Sequence, residues 1–255
     1  MYHLFRAVKE RLERLLMAEA PLLQDSLTGT NKIILSDSKD FTWENFNHRY
    51  REVVMQDSTS SCTGREVAGG YEGMPEYAIK SINNDTNELI IDGSFNKDWT
   101  TANNAKVRRA PAGVLVKDIR MGDLSVINVF PTICVVPNSK RLEWKTLSGT
   151  MDTMSLDFLV YVEGADTDRA TEDMLKITDV VEYILMTNLH IQPYGAKKEY
   201  QVTSHAKVNT IDYGLVQKGS QFVKASRITW DADMYLWRGY LTQQGALEAP
   251  LDGPF

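Results

Sequence analysis

MSLDFLVYVEGADTDRATEDMLKITDVVEYILMTNL, Met154 to Leu189, decides how this chain is read. Its first ten residues alternate. Met154, Leu156, Phe158, Val160 and Val162 fall on one side, and Ser155, Asp157, Leu159, Tyr161 and Glu163 on the other. A period of two predicts a strand with one face on a core. GADTD at 164–168 breaks the pattern with a turn and supplies Asp residues suited to cap a helix. From 169 to about 190 the period becomes helical. Met174, Ile177, Val181, Ile184, Leu185 and Leu189 share one face, while Glu172, Asp173, Asp179 and Glu182 share the other. A strand, a tight turn and an amphipathic helix therefore follow one another without a linker.

Upstream, VLVKDIRMGDLSVINVFPTICVVP contains a Gly122-Asp123 turn and predicts a strand over about 129–136 that Pro137 stops. RLEWKTLSGTM predicts another strand segment. Downstream, QPYG at 192–195 ends the helix, and two extended segments flank KGS at 218–220, a spacing suited to a hairpin. GALEAPLDGPF reads as a tail without regular structure.

Nearer the N-terminus, Leu4, Phe5, Val8, Leu12, Leu15 and Leu16 make one stripe of a predicted helix over 2–19, with Pro21 beyond it. Residues 25–115 differ in texture, being polar and rich in Asn, Asp, Ser, Thr and Gly. They carry short strand signals at 32–35, 76–82 and 88–93, and NNDT predicts a hairpin between the last two. WENFNHRYREVV at 43–54 fits a helix or a strand, and 98–111 reads as a loop ending in a strand. The expected architecture is α+β: an antiparallel sheet packed against two helices, with a β-rich insertion. Its parts are an N-terminal helix within 1–24, the insertion at 25–115, and the α+β core with its C-terminal hairpin at 116–255.

Composition narrows the function. The 255 residues hold 28 Lys and Arg against 34 Asp and Glu, a net charge of −6. That argues against a broad phosphate-binding face and against a polybasic membrane anchor. The opening MYHLFRAVKERLERLL has no apolar centre, so no secretory signal is expected, and no apolar run suits a membrane span. Cys134 lies in an apolar run and Cys62 in a polar one, and nothing favours pairing them.

Motifs of chemistry are absent: no phosphate-binding GxxxxGK[ST], no GxGxxG after a strand, no HExxH, no CxxC, no GxSxG. His3, His48, His190 and His205 are too widely spaced for a local metal clip. Asp166-x-Asp168 and Asp231-x-Asp233 would suit Mg²⁺ only if the fold brought them together, and a helix cap and a turn explain them as well. No cofactor or catalytic residue is assigned. The candidate interface residues are two basic pairs, Arg108 with Arg109 and Lys197 with Lys198, and aromatic residues of the C-terminal cluster, Trp230, Tyr235 and Trp237. The basic pairs suit either acidic patches on a neighbour or solvated loops. The aromatic residues suit either an interface or a core.

Residues from about 113 to 238 resemble the tail terminator or neck proteins of tailed bacteriophages. The features that carry the resemblance are VINVFPTICVVP at 126–137, the strand-turn-helix quoted above, and VNTIDYGLVQKGSQFVKASRITW at 208–230, with RAVKERLERLL at 6–16 as the opening helix. The smaller members of that family lack the insertion. The resemblance implies a structural protein of the virion, not an enzyme, assembled in the host cytoplasm as a ring, usually a homo-hexamer. The ring caps the tail tube protein, stops polymerisation and meets the neck or head connector. In contractile tails it also meets the sheath protein, where the insertion would serve. Genomic DNA passes through the central channel without specific binding, which an acidic wall favours. The expected contact surface is the loops and strands around 140–153 and 197–220. A head-completion connector is the related alternative. A small metal-dependent hydrolase or nuclease using the Asp pairs, and a monomeric binding protein using the aromatic cluster, are the alternatives of other classes.

Overall fold

The computed structural model describes residues 2–41, 50–59, 66–67, 70–71, 76–122, 129–144, 149–164, 167–187, 202–218 and 221–237. The chain is α+β and divides into two compact units, one of Glu13–Val116 and one of Met1–Leu12 with Lys117–Phe255. The division falls inside the first helix, α1 (Tyr2–Met17). Its predicted stripe is buried, with Leu4, Val8, Leu12 and Leu16 almost wholly withdrawn from solvent.

The Glu13–Val116 unit is built on a six-stranded antiparallel sheet. Its strands are β1 (Glu19–Pro21), β2 (Lys32–Ile34), β3 (Glu52–Gln56), β6 (Glu76–Asn83), β7 (Glu88–Ile91) and β8 (Lys106–Arg109), in the order β1-β8-β3-β6-β7-β2. A two-stranded piece pairs β4 (Glu66–Val67) with β5 (Gly70–Tyr71). The predicted hairpin around NNDT is β6 and β7. The sequence reading begins this segment at residue 25, whereas the compact unit begins at Glu13. Pairing explains the difference, because Glu19–Pro21 lie against Lys106–Arg108 as an edge of the same sheet. Ile33, Val53, Met55, Leu89, Ile91, Phe95 and Trp99 form its core. Tyr77 meets Phe95 edge to face at 5.1 Å. Polar loops are fastened by carboxylates. Asp98 accepts hydrogen bonds from the backbone N–H and the hydroxyl of Thr28, both at 2.7 Å. Asp25 does the same for Thr101.

In the other unit the sheet has five strands: β9 (Asp118–Met121), β10 (Thr132–Trp144), β11 (Gly149–Val162), β12 (Val202–Lys218) and β13 (Gln221–Trp237), ordered β12-β13-β11-β10-β9. The neighbours are antiparallel except β9, which runs parallel to β10. Pro137 does not stop β10. The strand continues to Trp144 across a register shift between Pro137 and Ser139, an irregularity that accommodates the missing N–H.

The second helix, α2 (Thr167–Thr187), packs on β11, β12 and β13. Register identifies the covered face. Thr178 of α2 is hydrogen-bonded to Ser226 of β13, so Ser226 and the residues two apart from it, Ile228, Trp230 and Ala232, face the helix. Opposite residues share a face, which adds Met154, Leu156, Phe158 and Val160 of β11. All seven apolar side chains are buried, as alternation predicts. The other side of β11 is buried too at Ser155, Asp157 and Tyr161. A smaller cluster of Cys134, Tyr161, Val223 and Ala225 with Phe130, Leu159 and Val216 explains part of this. Asp173, expected on the outer side of α2, is also buried.

Candidate interaction surface

Length sets up the surface. β12 and β13 have 17 residues each, which at about 3.3 Å per residue is roughly 56 Å. The 21 residues of α2 at 1.5 Å span only about 32 Å. One helix cannot cover the hairpin from end to end, so helix-facing positions beyond it are left open.

Among the described residues β13 lies between two strands, whereas β12 has a neighbour on one side only. From Thr210 to Lys218 its register against β13 is unbroken. Here Tyr213 stands opposite Ser226 and Leu215 opposite Lys224, so both belong to the helix-facing side. On this outer strand they emerge into solvent, Tyr213 53% exposed and Leu215 59%. Phe222, opposite Gln217 and diagonal to Leu215, is 67% exposed. Three large apolar side chains thus share one face at the tip of a hairpin whose outer strand is, among the described residues, at the edge of its sheet. Free edges present unpaired N–H and C=O groups and accept added strands. Clustered apolar exposure on such an edge marks a contact surface. The Tyr213 hydroxyl titrates above the ordinary phenol value, through its partial burial first and then through the carboxylates of Asp179 and Glu182. Acidic charge on α2 therefore borders the apolar tip.

The opposite face of the same strands carries, besides the smaller apolar cluster, polar side chains bonded to one another. Asp157 is buried and accepts from Arg227 Nη2 at 2.6 Å, Thr229 Oγ1 at 2.9 Å and Asn138 Nδ2 at 3.3 Å. The Arg227 guanidinium is held above its ordinary pKa by this bond and by the charge of Asp157. Asp233 accepts from Thr153 at 2.7 Å, and Asp231 accepts from Asn209. Asp231 and Asp233 are therefore rungs of a strand ladder rather than the turn read from the sequence. Asp168 sits in the first turn of α2, and Asp166 lies outside the described residues. Among the described residues no three His, Cys, Asp or Glu side chains come together as a metal site.

The predicted interface residues fare differently. Arg109 is not a loop charge. It belongs to β8, is 2% exposed, and its guanidinium donates to the Leu15 carbonyl at 3.1 Å above the ring of Phe41. A central strand pointing inward buries it, so it is a correction to the sequence reading. Arg108, on the same strand, is half-buried and donates to the Val116 carbonyl at 2.9 Å. Trp230 is likewise a core residue, fully buried and edge to face with Phe158 at 6.1 Å. Tyr235 and Trp237 continue β13, pairing in register with Met151 and Gly149. Lys197 and Lys198 lie outside the described residues, as do His48, His190 and Cys62. Sequence reasoning missed Tyr213, Leu215 and Phe222 individually, although Tyr213 and Leu215 lie within the segment 197–220. Nothing in their pattern separates an exposed apolar strand residue from a buried one, because exposure depends on which strand positions α2 covers.

A cleft of about 580 Å³ in the Glu13–Val116 unit is lined by Glu19, Gln56, Asp57, Thr101 and Lys106. Its charges are matched in pairs, Lys106 with Glu19 at 3.0 Å and Asp57 with Lys97 at 3.0 Å. Among the described residues no helix is long and apolar enough to cross a membrane. No protein-family model matches the chain, and no curated protein matches it in sequence.

Proposed function

We propose that this chain is a structural virion protein, a tail terminator whose copies form a hexameric ring that caps the tail tube and joins it to the neck. The observation that carries the proposal is the hairpin of β12 and β13, whose 17-residue outer strand is an edge of the sheet among the described residues and whose Tyr213, Leu215 and Phe222 are exposed. A monomer has no use for an apolar tip on an open edge, whereas a subunit of an assembly does. The order of hairpin, turn, helix and hairpin in this unit also supports the likeness stated above to phage tail terminator and neck proteins. Capping follows if one face of the ring matches the growing end of the tube and the other does not. DNA would pass through the hole as cargo, and the net charge of −6 suits a wall that does not hold phosphate.

Electron microscopy of particles assembled without this protein tests the proposal. Tails of uncontrolled length are expected. Tails of normal length that fail to join heads would favour a connector instead, and normal tails joined normally would refute both.

A further inference from the structure

In the Glu13–Val116 unit, residues 22–31 join β1 to β2 as a loop whose backbone is pinned on both sides. At its start Leu22 bridges Leu35. The Leu23 N–H donates to the Ile34 carbonyl at 2.8 Å and the Ser36 N–H to the Pro21 carbonyl at 3.0 Å, so the outer strands β1 and β2 meet there. Further on, Ser26 and Trp99 exchange backbone hydrogen bonds, both at 2.9 Å, and the Gly29 N–H donates to the Phe95 carbonyl at 2.9 Å. These bonds commit the backbone, so a partner here is held by side chains rather than by strand addition. Yet Leu23 and Leu27 are 58% and 51% exposed, with exposed Asp25 between them in sequence. Asp98 is bonded to Thr28, the neighbour of Leu27. Asp25 and Asp98 each accept their two hydrogen bonds on Oδ1, and among the described residues nothing is bonded to either Oδ2. The adjoining cations are taken, Lys97 by Asp57 and Lys32 by Glu88. The Thr101 N–H and hydroxyl hold the Asp25 carboxyl below its ordinary range, while desolvation and the nearby charge of Asp98 oppose them. Two fixed, uncompensated carboxylates thus stand beside two exposed leucines.

We infer that this loop is a docking surface for a segment of another protein that carries Lys or Arg beside apolar side chains, the apolar groups covering Leu23 and Leu27 and the cations meeting Asp25 and Asp98. The inference does not rest on the ring reading. Charge selects the class of partner. Nucleic acid and anionic lipid present phosphate, which two carboxylates repel. A second copy of this chain is a poor match, because its exposed apolar cluster at Tyr213, Leu215 and Phe222 is itself bordered by the carboxylates of Asp179 and Glu182. Exposed apolar groups supply area, and opposite charges supply register and choice of partner. Because the loop is already pinned, binding does not have to order it, which lowers the entropic cost.

The test follows the leucine methyl signals of the full-length chain by nuclear magnetic resonance. The probe is a synthetic peptide of leucine, lysine and serine, and its twin carries glutamate in place of lysine. Saturable shifts of Leu23 and Leu27 are expected with the lysine peptide and none with the twin. Asp25→Asn with Asp98→Asn removes the charge but keeps an amide oxygen to accept the Thr101 and Thr28 bonds, so the loop stays pinned. Binding at Leu23 and Leu27 is then expected to weaken by about twofold to thirtyfold, the worth of two exposed ion pairs. Leu27→Ser is expected to shrink the shift of Leu23, and Leu23→Ser with the shift of Leu27 read instead replaces it should the first variant lose its circular dichroism. Leu215, exposed beside carboxylates in the other unit, is the control for unspecific attraction of a cationic peptide. No shift at Leu23 and Leu27, equal shifts from the glutamate twin, unchanged affinity in the double Asn variant, or shifts as large at Leu215 would each overturn the inference.

Discussion

The hydroxyl pair that pins α2 to β13 should respond asymmetrically to mutation. Thr178 and Ser226 are both buried, their oxygens 2.5 Å apart. Thr178 Oγ1 also donates to the Met174 carbonyl at 2.7 Å. A hydroxyl has one proton, so Ser226 must be the donor between the two. Thr178→Val keeps the shape and strands the Ser226 proton in a dry interface, at about 1–3 kcal/mol. Ser226→Ala removes one donor and leaves Thr178 bonded to Met174, at about 0.5–1.5 kcal/mol. The double variant strands nothing, so its cost should fall short of the sum by about 1 kcal/mol. Because the two units need not unfold together, global melting is the wrong assay. Hydrogen exchange of the slowest amides in α2 and β13 reads the local opening energy instead. About 2 kcal/mol for Thr178→Val corresponds to roughly 30-fold faster exchange, since 1.4 kcal/mol is about tenfold. If Ser226→Ala costs as much as Thr178→Val, or the two add without coupling, the assigned proton direction is wrong.

Two other titrations follow from the side-chain geometry. Asp25 and Asp98 are held below the ordinary carboxylate value of 3.8, chiefly by backbone N–H donors from Thr101 and Thr28. A depressed folded pKa stabilises fully above the unfolded value and is lost as pH falls through the folded one. The protection of the Thr28 and Thr101 amides, measured relative to their intrinsic exchange rates, should therefore hold steady above about pH 4 and fall below it. Asp25→Asn should abolish that dependence at Thr101 alone. For Tyr213, Asp179→Asn with Glu182→Gln should lower the phenol pKa towards 10.0 without restoring it fully, since burial is the larger cause. Ultraviolet difference titration of single-tyrosine substitutions reads the shift, and an unchanged value would place the acidic flank elsewhere.

Local periodicity carried much of the fold. The alternation from Met154 to Val162 and the helical stripe of α2 were legible because each records which residues a single element buries. The β6–β7 hairpin was legible from its turn residues. What pairing decides was not legible. Pro137 is a strand terminator by its own chemistry, and only a register shift against β11 lets β10 pass through it. β9 joins in parallel through contacts that no local pattern encodes.

For the surface, the division is sharper. By itself the sequence determined an α+β chain with a net acidic charge and two hairpin-like extended segments near its end. It could not separate Trp230 from Tyr213, two aromatic residues on one hairpin. Tertiary structure sends the first beneath α2 and leaves the second half-exposed on the outer strand. The same holds for Arg109, a basic residue that reads as solvated until β8 turns it inward. The reason is geometric: burial depends on which element lies over a strand and where that element stops, and both are set by residues far away in the chain.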